Sequence, residues 1–368
     1  MKTKTLTSYL KLLACEGIGV LNARKLLEQF KKASDIFDED VFERTIENQT
    51  TKIRLRNLFR SIDLNLIESE IEFIHKNNIK WVGILDKNYP KLLKECADAP
   101  IVLFYKGDLN LLNHHSISIV GTRKMSVYGK EMIEKLIAEL KIFNPTIVSG
   151  MAYGVDVYTY KETRKSKLGA VAVMGTSFAK YYPKVHSKYY QDLEEYGLIL
   201  TEYTAFNKLA PELFLRRNRI IAGLSRATVV IESAETGGSL STAIFASEYG
   251  REVYALPGKI TDEFSKGCLK LIQQNKAQLL YDFSQIADDL SWNRIENTSQ
   301  KVSEPILDLK SFSETEQKIV KCLQYKTLHI DEIAIESDLD MSILNANLMM
   351  LELNGVIVSL QGKMFKLK

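Results

Sequence analysis

The chain has 368 residues, 45% hydrophobic and 26% charged, with 49 basic against 46 acidic side chains and a net charge of +3. At about 150 residues per domain this length predicts two or three domains, and the usage is that of packed globular protein, which excludes a disordered or collagenous chain. No apolar run approaches the ~18 residues of a membrane-crossing helix, so no membrane association is expected.

The N-terminus carries Lys2 and Lys4 and then Leu12-Leu13-Ala14-Cys15. Thr5, Thr7, Ser8 and Lys11 interrupt the apolar stretch that an export signal needs, so a cytoplasmic protein is expected. Cys15, Cys96, Cys268 and Cys322 are scattered without CxxC spacing, which predicts reduced thiols and neither a disulfide framework nor a zinc site. Residues 1–75 read as a helical domain, with Leu10, Leu13, Ile18, Leu21, Leu26, Leu27 and Phe30 at roughly helical spacing. Gly17-Ile18-Gly19 falls between two helical patterns, in the manner of a helix-hairpin-helix or SAM-like domain. It is either a plain helix connection or a place where backbone N–H groups at a helix start meet a phosphate.

Residues 76–281 read as an α/β domain. Two short strands, Trp81–Leu85 and Ile101–Tyr105, precede strand-like runs at Ile117–Val120, Thr146–Ser149, Ala170–Met174, Leu198–Thr201, Thr228–Ile231 and Glu252–Leu256, with helical patterns between them. Near-continuous apolar strands alternating with helices predict a parallel sheet covered on both faces. Residues 282–312 read as a connector, rich in Ser, Asp, Asn and Glu with Pro305 in its middle. Residues 313–368 read as a C-terminal winged helix. Ser313-Glu314-Thr315-Glu316 is a capping-box start, three helices follow, and Gly355 to Leu367 makes a β-hairpin.

In a doubly wound sheet, ligands bind beyond the carboxyl ends of the strands. Those ends carry Gly121-Thr122-Arg123-Lys124, Gly150-Met151-Ala152-Tyr153-Gly154-Val155-Asp156, Gly175-Thr176, Glu232-Ser233, Thr236-Gly237-Gly238-Ser239 and Pro257-Gly258. Tight glycine turns, small hydroxyls and helix-start N–H groups suit phosphate oxygens. Neither GxGxxG nor GxxxxGK[ST] follows a strand, which disfavours a dinucleotide dehydrogenase or a P-loop enzyme. Phe214-Leu215-Arg216-Arg217-Asn218-Arg219 places three arginines within four residues. On a helix, Leu213, Ile220, Ile221 and Leu224 form the buried stripe, with Arg217 on it, Arg216 at its edge and Arg219 away from it. Arg217 then either pairs with an internal carboxylate such as Asp156 or Glu232, or faces the ligand. Arg216 and Arg219 either touch phosphate or lie on a solvated face, and Phe214 either stacks a base or fills the core.

Residues 116–281 hold 22 basic and 16 acidic side chains, a net of +6, whereas residues 311–368 hold 6 and 8, a net of −2. The third helix of the winged unit, Met341 to Asn354, contains no Lys or Arg, so this unit is expected to contact protein rather than duplex DNA, although Lys363 and Lys366 lie in the wing. His75, His114, His115, His186 and His329 have no metal-type spacing, so no metal, cofactor or catalytic residue is expected. Asp156, Glu202 and Glu232 sit at strand ends and read as capping or arginine-pairing groups.

Taken in order and spacing, the Gly121–Lys124, Ser149–Asp156, Arg216–Ser225 and Thr236–Leu240 motifs resemble the DprA/Smf family of DNA-processing proteins across residues 80–281. The resemblance implies a non-enzymatic mediator with an extended Rossmann-like fold that dimerises, binds single-stranded DNA during natural transformation (competence) and loads the RecA recombinase on it. It puts the basic pocket for the strand at Arg123 with Lys124, and extends it to Phe214, Arg216, Arg217 and Arg219. Gly121, Thr122, Gly237, Gly238 and Ser239 would shape that pocket through their backbone. The chain departs from the family at Leu215 for a proline, at Tyr153 for an arginine, and at Gly267-Cys268-Leu269 for Gly-Thr-Asn. Two other functions compete. One is a LOG-type nucleotide phosphoribohydrolase, whose catalytic carboxylate position is not reproduced after Gly238-Ser239-Leu240; the other is a protein adaptor acting through the winged helix.

Overall fold

A computed structural model describes residues 2–292, 312–323, 328–360 and 362–367. The chain forms two compact units, Met1–Ile295 and Glu296–Lys368.

The first unit opens with helices α1 (Lys2–Ala14), α2 (Val20–Phe30), α3 (Glu39–Thr45), α4 (Gln49–Arg60) and α5 (Leu64–Lys76). Asp38, Asn48 and Asp63 set the starts of the last three by accepting hydrogen bonds from Val41 N, Thr51 N and Asn65 N at 3.2, 2.9 and 2.9 Å. Gly17-Ile18-Gly19 is a tight turn between α1 and α2, closed by Ile18 N–H donating to Cys15 O at 3.2 Å.

The α/β part follows as β1 (Lys80–Gly83), α6 (Lys91–Glu95), β2 (Val102–Gly107), β3 (Ser116–Val120), α7 (Val127–Leu140), β4 (Thr146–Ser149), α8 (Val155–Lys165), β5 (Ala170–Val173), α9 (Ser187–Tyr196), β6 (Leu198–Thr201), α10 (Pro211–Gly223), β7 (Ala227–Val230), α11 (Ser239–Glu248), β8 (Glu252–Ala255), α12 (Lys266–Gln273), β9 (Gln278–Leu279) and α13 (Ser284–Asp289). The strands make one sheet in the order β1-β2-β6-β5-β4-β3-β7-β8-β9. From β6 to β9 every pairing is parallel, as expected. Strands β1 and β2 extend the β6 edge antiparallel, a direction that apolar runs alone do not encode. Alternate residues feed the two faces. Ile117 and Ile119 pack with Ile133, Leu136, Ile137 and Leu140 of α7, while Val120 and Val148 join the other core. Ser116 and Ser118 on the central strand are buried and fasten α10: Ser116 Oγ donates to Leu224 O at 2.9 Å and Ser118 Oγ to Ile221 O at 2.8 Å.

The change of architecture at residue 75 is not a gap in packing. Leu6, Tyr9 and Leu27 share one core with Phe104, Ile199 and Ile220. Arg24 on α2 donates to the carbonyls of Cys96, Ala97 and Lys94. Buried Glu70 on α5 accepts from Ala205 N at 2.9 Å, beyond the end of β6. Burial raises the Glu70 carboxyl above its ordinary 4.5, and the Ala205 amide opposes the rise. A raised folded-state value means a stability contribution that is complete below the unfolded value and is lost as pH rises through the folded one. Glu70→Gln keeps an acceptor and removes the charge. It is therefore expected to be more stable than the parent at about pH 8, with the difference shrinking toward about pH 4.5. Denaturant midpoints across that range check this; a pH-independent gap would refute the assignment.

The connector expected over residues 282–312 is corrected at its start. Residues 284–289 are helical, Ile286, Ala287 and Trp292 are buried in the core, and the Trp292 ring stacks on His115 at 4.9 Å. Ser284, Asp288, Asp289 and Ser291 interrupt the apolar residues of this segment, which is why composition alone suggests a linker. Residues 293–311, including Pro305, lie outside the described residues.

The second unit runs α14 (Glu314–Cys322), β10 (Leu328–His329), α15 (Ile330–Ser337), α16 (Met341–Leu353), β11 (Ile357–Leu360) and β12 (Met364–Leu367), with a three-stranded sheet in the order β10-β12-β11. It is the expected winged helix. Ser313 forms the expected capping box, its N–H donating to Glu316 Oε2 at 2.9 Å and its Oγ accepting from Glu316 N at 3.3 Å. Among the described residues, no helix is long and apolar enough to cross a membrane.

Candidate nucleic-acid interface

The sheet order reverses direction at β3, which is followed in the chain by β4 on one side and flanked by β7 on the other. That is the switch point at which the loops after β3 and β7 part and leave a crevice. A cleft of 390 Å³ sits there, lined among others by Gly121, Thr122, Arg123, Lys124, Phe214, Arg217, Gly237, Gly238 and Ser239.

One wall is the turn after β3. Thr122 N–H donates to Glu232 O at 2.7 Å, Thr122 O accepts from Val155 N at 3.1 Å, and Lys124 N–H donates to Thr122 Oγ1 at 3.1 Å. These bonds spend the turn's polar groups on the fold and leave the Arg123 and Lys124 side chains exposed at the mouth. The loop after β4 lies against this turn. Gly154 has φ +74°, and a Cβ there would stand 2.3 Å from Thr122 O and 2.6 Å from the Arg123 backbone, so the close approach requires glycine. The opposite wall is the Gly237-Gly238 turn opening α11, where Ser239 Oγ donates to Ser233 Oγ at 2.8 Å. Asn218 ties α10 to this wall, its Nδ2 donating to Gly238 O at 3.1 Å and to Ser241 Oγ at 2.9 Å.

The three arginines of α10 separate. Arg216 is exposed beside exposed Leu215, outside the cleft lining. Arg217 is buried at the cleft floor, where Nη1 donates to Gly150 O at 2.7 Å and also to Val173 O. Its guanidinium fills the space that a side chain at position 150 would need, since a Cβ there would lie 2.3 Å from Nη1. Arg217 thus braces the ends of β4 and β5 through their carbonyls rather than through a direct carboxylate bond, and it is not an open phosphate ligand. Asp156 nearby is buried; burial raises its carboxyl and Arg217 opposes the rise. The expectation that Arg219 joins the basic pocket is corrected. Arg219 is buried on another side of α10, where Nη2 meets Glu202 Oε2 at 2.5 Å and Nε lies 3.7 Å from Asp98 Oδ2.

The strand-end carboxylates are structural, as their positions suggested. Glu202 pairs with Arg219, Asp156 accepts from Ala152 N at 3.2 Å, and Glu232 accepts from Ser126 Oγ at 2.6 Å and Ser126 N at 2.9 Å at the start of α7. Phe214 lies half-buried at the cleft, its ring 5.2 Å from that of Tyr182. Asn218, Ser233, Glu263 and Phe264 also line the cleft; Asn218 and Ser233 lie within the arginine segment and a strand end singled out in the sequence, whereas Glu263 and Phe264 do not. Glu263 and Phe264 come from the loop after β8 and are held by Ser233 N–H donating to Phe264 O at 2.6 Å; no local pattern marks them.

Comparison with known proteins extends these findings. Residues 80–291 match the family model of DNA recombination-mediator protein A, and residues 303–363 match that of the DprA winged helix domain. The chain is 36% identical to the DNA processing protein DprA of Bacillus subtilis over 224 residues, 61% of this chain and 75% of that protein. It is 40% identical to the Streptococcus pneumoniae DprA over 192 residues, 52% of this chain and 68% of that protein. The X-ray structure of the S. pneumoniae DNA processing protein A superposes with a TM-score of 0.66 at 32% identity, covering 77% of this chain and 97% of that one. The DNA processing protein A of Helicobacter pylori, whose structure concerns a unique single-stranded DNA binding mode, superposes with a TM-score of 0.52 at 28% identity, covering 58% of this chain and 95% of that one.

Proposed function

The chain belongs to the DNA recombination-mediator protein A family, and from that premise we propose that it binds single-stranded DNA in the switch-point cleft and loads a RecA-type recombinase on the bound strand. The observation that carries this reading is a cleft open at its mouth with Arg123 and Lys124 exposed on the turn after β3. Glycine turns let the backbone approach the phosphates, Arg123 and Lys124 neutralise them, and Phe214 offers a ring face to a base. Arg216, exposed on the same helix as Phe214, supplies a third cation outside the cleft. Arg217 serves the site by holding its floor.

The protein acts as a mediator and not as an enzyme. Asp156, Glu202 and Glu232 are each committed to hydrogen bonds or ion pairs of the fold, which supports this reading. It acts in the cytoplasm, as a homodimer, on DNA taken up during transformation. The winged helix contributes protein contacts rather than duplex reading, in keeping with a third helix devoid of Lys and Arg.

Binding to single- and double-stranded oligonucleotides of one sequence, measured by anisotropy across salt concentrations, tests the DNA step. A preference for the single strand is expected, with a log–log salt slope near −2 for about three neutralised phosphates. Equal affinity for the two forms, or binding indifferent to salt, would overturn the proposal. The recombinase step is followed in the same preparation as the rate of filament assembly on the bound strand.

A further inference from the structure

Outside the cleft, an unusual number of aromatic rings gather where the loop after β4 meets the segment before α9. Ala152 lines the cleft, and Tyr153, the next residue, points outward with 42% of its surface exposed. Its ring meets the edge of His186 at 5.1 Å, and His186 meets Tyr189 at 5.8 Å. The His186 ring is itself buried and fixed, Nδ1 lying 2.9 Å from Met151 O. Lys161 and Lys188 stand over the Tyr189 ring at 5.4 and 5.0 Å. On the other side, Tyr182 is 39% exposed and lies against Phe214, which lines the cleft.

Two features set this group apart from ordinary surface tyrosines. Tyr153 is held by a rigid turn: Met151 and Gly154 have φ of +58° and +74°, and Gly154 packs directly on the Arg123 backbone. The turn that carries Tyr153 therefore abuts the backbone of Arg123, whose side chain is exposed at the cleft mouth. The cations over Tyr189 provide positive charge at the far end of the same group, and alternating ring faces and cations are what an unpaired strand needs to stack its bases and neutralise its backbone.

We propose that Tyr153 is a base-stacking platform, and that a single strand leaving the cleft passes over it toward Lys161 and Lys188. This rests on the single-strand reading of the cleft and adds a second binding element to it. A strand long enough to leave the cleft gains the platform; a short one does not.

The test measures anisotropy with oligothymidylates of about 4 and about 16 nucleotides, the span of site sizes such clefts and grooves cover. Tyr153→Ala should weaken the long strand about tenfold and leave the short one within about twofold. The salt slope should stay as in the parent because no cation is lost. Tyr153→Phe, which keeps the ring, should bind as the parent does. Tyr153→Trp should report the contact directly, its added emission being quenched by the long strand. Parent-like binding of the long strand by Tyr153→Ala, while Arg123→Ala is impaired, removes the platform and leaves the cleft assignment standing. Equal loss for both lengths would place Tyr153 inside the cleft and also overturns the proposal. Failure of both Tyr153→Ala and Arg123→Ala to change binding brings down the cleft reading itself.

Discussion

Replacing Arg219 with methionine is expected to destabilise the first unit by about 3–5 kcal/mol, because it strands a buried carboxylate. Arg219 and Glu202 have side-chain exposures of 4% and 8%, and the guanidinium also neighbours Asp98. Asp98 accepts from Tyr249 Oη at 2.5 Å, so the pair belongs to a network joining α10, the end of β6 and the loop after α6. Two buried charges in contact contribute little net stability, but one left alone is costly. The double variant Arg219→Met/Glu202→Leu should therefore recover much of the loss, which separates the stranded charge from lost packing. Chemical denaturation of the three variants checks this. An Arg219→Met midpoint close to the parent's would show that the network is not structural. The part of the single variant that remains folded should bind single-stranded DNA as the parent does, since Arg219 is not at the cleft.

The largest effect on binding is expected at Arg123. A charge-assisted hydrogen bond contributes about 1.5–3 kcal/mol, so Arg123→Ala should weaken single-strand affinity between about tenfold and a hundredfold at low salt. Removing one neutralised phosphate should also lower the salt slope by about 0.7. Arg123→Lys should restore the slope but only part of the affinity, because an ammonium keeps the charge and loses the planar fork. Titrations at three or more salt concentrations distinguish these outcomes. An Arg123→Ala protein with an unchanged slope would place the phosphate contacts elsewhere. The fold should not respond, since the side chain is exposed.

Sequence periodicity exposed most of the sheet and the location of the cleft. Strands buried on both faces are continuous apolar runs, and turns that must approach a ligand are built of glycine, so both leave local marks. The α10 arginines show where such reading stops. Helical spacing placed Arg217 on the buried stripe, where the structure has it. The same reasoning assigned Arg219 to the opposite, open side. One apolar stripe marks one buried face, and α10 buries two, because Asp98 and the segment around α6 cover its other side. That cover comes from about 120 residues earlier in the chain, and no local pattern announces it. The same applies to Glu263 and Phe264, which reach the cleft only through the loop geometry after β8.

The pairing of β2 with β6 has a consequence for how the polypeptide is made. Phe104 is registered with Thr201, and Ser116 bonds Leu224, so both joins span about a hundred residues of chain. A nascent chain emerging from the ribosome can pair β1 with β2, but the second edge of β2 has no neighbour until β6 has followed, and β3 waits for β7 on its second edge. Long-range closures of this kind slow folding and leave strand edges open to intermolecular pairing in the interval. The helices at the N-terminus, complete long before that point, hold their own apolar faces ready for a sheet that does not yet exist.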